Sequence, residues 1–254
     1  FTCEAIRKKT SLPVTCMPYY VEAPVHESYT RAHFHLPEER FLFLMMYDSR
    51  SCAERKNPEA VMHAFQKAFA PSDQSVGLVI KINHAAKEDE RHIQNIMNGY
   101  TNIYLIKEPL DRNGVNNLIQ CADVVVSLHR AEGFGLVLAE AMLLGTPVIA
   151  TNWSANTEFM NKEIACMTDY EFVTLEKELP PFHAGCRWAD PDVAQAAEYM
   201  KKLHEDRAFA KELAQRAKKY MEDKLSMQQA AARIRDRLEQ IDRELKKYEK
   251  NRSH

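Results

Sequence analysis

The chain is 254 residues long, 45% hydrophobic, and carries 34 basic residues against 36 acidic ones, a formal net charge of −2. That balance excludes nucleic-acid binding driven by bulk charge, no apolar run reaches the ~18 residues a membrane span needs, and the opening FTCEAIRKKT lacks a signal-peptide core. Six cysteines without a CxxC pair or metal-ligand spacing, and ten histidines without an HExxH, point to reduced core thiols in a cytoplasmic protein and to no metal.

Taken in chain order, the sequence starts without methionine inside a segment that reads as a helix, as expected of a fragment. PVTCMPYYV (13–21) reads as a short strand followed by extended chain, and the proline-punctuated stretch 22–40 as a linker. The rhythm then changes. FLFLMMY (41–47) is a continuous apolar run, and PEAVMHAFQKAF (58–69) has helical spacing with proline at its first turn. Strands are expected at 76–82, 102–106, 123–128 and 147–151, and helices at 88–97, 114–122 and 136–144. Beyond Pro191 the chain reads as amphipathic helices.

Strands that are solidly apolar, and separated by helices, imply a parallel sheet covered on both faces. The expected fold class is therefore α/β, a doubly wound Rossmann-like domain over about 41–195. Residues 1–40 precede it as the end of another domain and a crossover, and 196–254 follow as helices. In the last helix Met227, Ala231, Ile234, Leu238, Ile241, Leu245 and Tyr248 recur at heptad spacing. Three heptads do not establish a coiled coil. The stripe is expected to pack on its own domain, with self-association through this helix as the alternative.

The segment HRAEGFGLVLAEAMLLGTPVIATNWSAN (129–156) holds three of the seven glycines, and places Glu140 among eight apolar residues between Gly135 and Gly145. A loop ending in Gly-Phe-Gly at a helix start presents unpaired amides and a positive dipole end, a fit for phosphate. It follows the strand 123–128, so it lies at the ligand-binding edge of such a sheet. A carboxylate buried in an apolar helix needs a hydrogen-bonding partner. The diol of a ribose would supply one at Glu140, which shares a helical face with Leu136, and Glu132 would face further hydroxyls. The cations for a diphosphate would come from YDSRSCAERKNP (47–58), which holds Arg50, Arg55 and Lys56.

The run Glu132-Gly-Phe-Gly-Leu-Val-Leu-Ala-Glu140 resembles the Glu-x7-Glu signature of retaining glycosyltransferases with the GT-B fold, family 4 above all. RKNPEAVMHAF, GTPVIAT and WADPD (188–192) are similar to other motifs of that family, and together the likeness spans about 41–195. It implies a two-domain protein with the active site in the cleft, of which this chain would be the C-terminal, donor-binding half. By that resemblance Glu132 lies near the donor sugar as a catalytic residue and Glu140 holds the ribose. Gly133, Phe134 and Gly135, with Leu136 at the first helical position, line the phosphates and sugar. Lys56 contacts the diphosphate. Its partner is Arg50, six positions earlier as in many relatives, with Arg55 as the rival. The stretch VIKINHAAK (79–87) lacks the glycines many relatives carry after that strand, and Lys81 there is expected to be a surface lysine rather than a substitute contact.

The chemistry so implied is transfer of a hexose from a nucleotide-diphosphate sugar to a glycan or lipid-linked acceptor in polysaccharide synthesis. Lys56 and an arginine would stabilise the departing diphosphate without a metal or other cofactor. The expected partners are the donor, the acceptor and a missing N-terminal domain, with no nucleic acid. The expected location is cytoplasmic, or peripheral at the inner face of a membrane. An epimerase or phosphorylase on the same fold, and a non-catalytic donor-binding or assembly module, are the alternatives.

Overall fold

The computed structural model describes residues 1–17, 19–97 and 99–252, with side chains to residue 249. Six strands form one parallel sheet in the order β3-β2-β1-β4-β5-β6: β1 (Phe41–Asp48), β2 (Val76–Asn83), β3 (Ile103–Ile106), β4 (Val124–Ser127), β5 (Val148–Thr151) and β6 (Cys166–Thr168). A separate antiparallel pair, β7 (Tyr170–Thr174) with β8 (Arg187–Pro191), follows. The helices are α1 (Thr2–Arg7), α2 (Ala53–Lys56), α3 (Pro58–Ala68), α4 (Lys87–Ile96), α5 (Arg112–Cys121), α6 (Leu136–Leu144), α7 (Val193–Glu205), α8 (Arg207–Lys224) and α9 (Met227–Arg252). The doubly wound sheet expected from the apolar runs is present.

Strand β1 shows why those runs are unbroken. Successive side chains of a strand point to opposite faces. Phe41, Phe43, Met45 and Tyr47 enter one apolar layer with α3, Ile93 of α4 and α7, while Leu42 and Leu44 enter another with α5, α6 and Met221 of α8. Both layers are apolar, so neither face of the strand can carry a polar residue cheaply. Lys81, on the fully covered β2, is buried rather than at the surface. Its ammonium donates to Asn83 Oδ1 at 2.5 Å and the Ile82 carbonyl at 3.2 Å, and burial pushes its pKa down against Glu108 and Asp48.

Two expectations outside the sheet fail. Residues 13–17 and 19–21 form no strand: prolines withhold ladder donors, and Met17, Tyr19 and Tyr20 are exposed. Pro18 lies outside the described residues. The stretch 22–40 is irregular apart from a short 3-10 turn at Arg31–Phe34, and it is tied down on the domain. Asn113 and Asn117 of α5 accept from the amides of His26 and Tyr29 at 2.9 and 2.8 Å, and Arg31 reaches Asp123 at 2.7 Å. The heptad stripe of α9 does not pack on the domain. Leu238, Leu245 and Tyr248 are 60%, 55% and 60% exposed, because α8 already closes the core with Leu213, Ala217 and Met221. Among the described residues no helix is long and apolar enough to cross a membrane.

Asn57 locks the first loop to the sheet. It sits in the left-handed region (φ 56°), caps α3 by accepting from the Ala60 amide at 3.4 Å, and donates to the Leu128 carbonyl at 3.1 Å. Asn57→Ala removes the cap and puts a methyl side chain on strained backbone, and is expected to cost about 2–3 kcal/mol. Asn57→Gly relieves the strain and should cost less. Urea unfolding measures both, and an alanine variant as stable as the parent would show that the contact to Leu128 carries no weight.

Candidate functional site

The order of the sheet reverses at β1 and β4, which pair in parallel as Phe43 with Val124 and Leu44 with Val125. Chain leaving β1 and chain leaving β4 therefore rise side by side from the carboxyl edge, where ligands of open α/β sheets bind. The first loop winds into α2, and the second is the run 128–135. Lys56 ends α2, and its ammonium meets Glu132 Oε2 at 2.5 Å, with both side chains largely buried. Arg55 adds a longer contact to the same oxygen at 3.7 Å.

Hydrogen bonds clamp the two loops. Arg55 donates to the carbonyls of Ala131 at 2.6 Å and Ser51 at 3.1 Å. The Arg130 amide donates to the Arg55 carbonyl at 2.8 Å, and its guanidinium pairs with Asp190 at 2.8 Å. From the other side Ser154 accepts from the Glu132 amide at 2.8 Å and donates to the Glu132 carbonyl at 2.7 Å. His129 is fully buried beneath. Its Nε2 lies 3.1 Å from Asn156 Oδ1 and 3.2 Å from the Trp153 carbonyl, and burial pushes its pKa below the ordinary value. His129, Ser154, Asn156 and Asn57 are functional supports that the sequence reading missed. Only Asn57, a capping residue directly before Pro58, carried a readable signal.

At Gly135 φ is +94°, a conformation that glycine tolerates, and a Cβ would press on Leu138 at 3.2 Å. Gly133 differs: a Cβ there would meet nothing within 4 Å. No side chain caps α6; the Leu138 amide turns back to the Gly135 carbonyl at 3.0 Å, and the start of the helix borders a cavity of ≈ 250 Å³ lined by Met46, Lys56, Ser127, Glu132, Leu136 and Val137. Across the loop, the Phe134 ring packs at a tilt between Tyr19 and Phe159, with centroids 4.8 and 5.1 Å away, beside a second cavity of ≈ 320 Å³ that Gly133 also lines.

The two glutamates experience opposite fields. Burial pushes the Glu132 carboxyl up, but Lys56 and Arg55 outweigh it and hold it below its ordinary value. Glu140 is buried on α6 with Arg112 Nη1 at 2.9 Å, and there burial wins over the arginine and raises its pKa. The structure thus gathers Lys56, Arg55, Glu132 and 133–136 into one place. Glu140 sits further along the helix against Arg112, a partner that the sequence reading did not foresee. Arg50 stands at the rim, 67% exposed, on a loose 3.4 Å pair with Asp48.

A sequence model described as Family 4 Glycosyltransferase in conflict systems matches residues 10–241. The ORF313 protein of Acidianus filamentous virus 1, provisionally named a glycosyltransferase, is 28% identical over 145 residues, 42% of this chain and 46% of the viral one. The structure of Anabaena HepE, solved with UDP and glucose, superposes with a TM-score of 0.62 at 14% identity, over 83% of this chain and 51% of HepE. The C-terminal domain of the group 1 glycosyl transferase LpcC from Francisella tularensis gives 0.58 at 18% identity, over 77% of this chain and 91% of that domain. The chain thus spans about half the length of the viral relative and of HepE.

Because its folded-state pKa is depressed, Glu132 contributes stability that is present above the ordinary carboxylate value of about 4.3 and is lost as pH falls through the lower folded-state value. Lys56→Met leaves that charge only the longer Arg55 contact and is expected to cost about 1–3 kcal/mol at pH 7. In urea titrations the gap from the parent should narrow below about pH 4. A gap that stays constant into strong acid would assign Lys56 a packing role instead.

Proposed function

The chain belongs to the family 4 glycosyltransferases of conflict systems, and on that footing we propose that it holds the nucleoside diphosphate of a sugar donor against residues 132–136. In a whole protein that sugar, a hexose, passes to a glycan or lipid-linked acceptor with retention of configuration. The observation that carries the reading is the Lys56–Glu132 pair set at the uncapped start of α6. A departing diphosphate gains negative charge as the sugar–phosphate bond breaks. The Lys56 ammonium and the helix N-terminus stabilise that charge as it develops. Glu132, brought to the same spot as a carboxylate, accepts from sugar hydroxyls.

Arg55 is committed to the carbonyls of Ser51 and Ala131, whereas the exposed Arg50 can leave Asp48 for a phosphate. Arg50 is therefore the arginine of the diphosphate, and Lys56 with Arg50 supplies positive charge without a metal. At Gly133 nothing in the protein itself occupies the space of a side chain, which suits the close approach of a ligand. Glu140, with one oxygen on Arg112, offers the other to the ribose diol. Residues 1–40 act as the end of a preceding acceptor domain, whose closure over the loop would exclude water. The protein works in the cytoplasm, either free or against the inner face of a membrane. HepE was solved with UDP and glucose at the same fold, which supports a UDP-sugar as the first donor to try.

Calorimetry with UDP, GDP, ADP and their sugars, with and without EDTA, is expected to give weak binding to one base that is insensitive to the chelator. Lys56→Ala should weaken it roughly 10- to 100-fold, one charge-assisted contact. Silence across the panel, or binding abolished by EDTA, would overturn the reading.

Glu140→Gln separates binding from folding. Its raised folded-state pKa means that ionisation costs the fold stability as pH rises through that value. The glutamine variant should therefore be at least as stable as the parent at pH 7. It should lose roughly 10- to 100-fold in affinity for ribonucleotides and far less for the 2′-deoxy forms. Equal losses for both sugars would remove Glu140 from the ribose site.

A further inference from the structure

Helix α9 runs for 26 residues, about 39 Å, beyond the body of the domain. Met227, Ile234, Leu238, Ile241, Leu245 and Tyr248 lie along one side and are 36–60% exposed. Ala230 is its buried residue among those described, packed near the foot of the helix. In proteins helices gain most of their stability from packing an apolar face, and the 3.5-residue period of this stripe fits another helix rather than a sheet.

The charges beside the stripe say what that helix is. In the heptad frame set by these residues, the flanking positions carry Arg235 and Arg237 in the first half and Asp242 and Glu244 in the second. We propose that α9 pairs antiparallel with α9 of a second copy of this chain. The two-fold axis passes between Leu238 and Ile241. That register packs Leu238 on the partner's Ile241, Ile234 on the partner's Leu245, and the small Ala231 on the large Tyr248 of the partner subunit. It sets Arg235 against the partner's Asp242 and Arg237 against the partner's Glu244. By symmetry each pair occurs twice, and every flanking contact between charged residues is attractive. A parallel pair in the same frame opposes Glu244 to the partner's Glu249 and stacks tyrosine on tyrosine. Within one helix Asp242 already touches Lys246 at 2.7 Å and Glu244 touches Gln240 at 2.8 Å, but both are exposed contacts worth little. The domains then stand at opposite ends of the paired helices, with Arg233 at the foot of α9 lining the cavity beside Gly133 and Phe134.

Sedimentation of the whole chain across the micromolar range tests the pairing. The parent is expected to be a dimer. The double variants R235E/R237E and D242R/E244R should each be monomeric with unchanged helix content by circular dichroism, and an equimolar mixture of the two should restore a dimer. Arg235→Glu alone decides orientation: it opposes Asp242 only in the antiparallel pair, where it should weaken association roughly tenfold, and it faces Ala230 in the parallel one. A monomeric parent, a dimer indifferent to both charge reversals, or a dimer unmoved by Arg235→Glu would overturn the proposal. Nucleotide binding by the monomeric variants should equal that of the parent.

Discussion

The pairing of β1 with β4 is the constraint on which the candidate site rests. Only two register positions join these strands, yet they decide which loops become neighbours. From that adjacency follow the contact of Lys56 with Glu132, the reach of Arg55 to the Ala131 carbonyl, and the bond from Arg130 back to Arg55. None of these groups could be satisfied if the loops stood a strand apart. The arrangement also explains why Arg55, although adjacent to Lys56 in sequence, does different work. It holds backbone, and leaves the lysine to face the cavity.

Two glutamates eight residues apart end in opposite electrostatic conditions because of what else is buried with them. Glu132 sits where two cations arrive from the other loop, so its charged form is favoured. Glu140 sits inside an apolar layer with a single arginine whose own side chain is 56% exposed, and solvent screening of that partner leaves burial the larger effect. A residue that the fold would rather keep neutral is a poor choice for stability alone. Such conflicts between local rule and global fold gather at functional positions.

The parts of the fold legible in the sequence are those where one physical demand dominates. Two-sided burial makes β1, β4 and β5 largely apolar runs, and Gly135 and Gly145 bracket α6 at the residues where it begins and ends. Where demands mix, the sequence is silent or misleading. The β7–β8 pair carries exposed Phe172 and Val173 and reads as neither alternation nor run. β6 is three residues long. Lys81 has the composition of a surface residue but sits on a strand covered from both sides. Within the site, the loop and its lysine were legible because glycine and charge cluster locally. Arg112, Ser154 and His129 were not, because each acts on a segment more than twenty residues away, and only the tertiary fold brings them there.

The 76 residues that separate Lys56 from Glu132 set the order in which this molecule can mature. β1 and β2 are consecutive in the chain and can zip together early. β1 and β4 close a much longer loop, whose entropy must be lost before any contact across it is gained. Contacts across that loop, Lys56 with Glu132 among them, are therefore expected to follow the pairing of β1 with β2. A ligand that binds the native state alone would act on the finished sheet, holding it against unfolding.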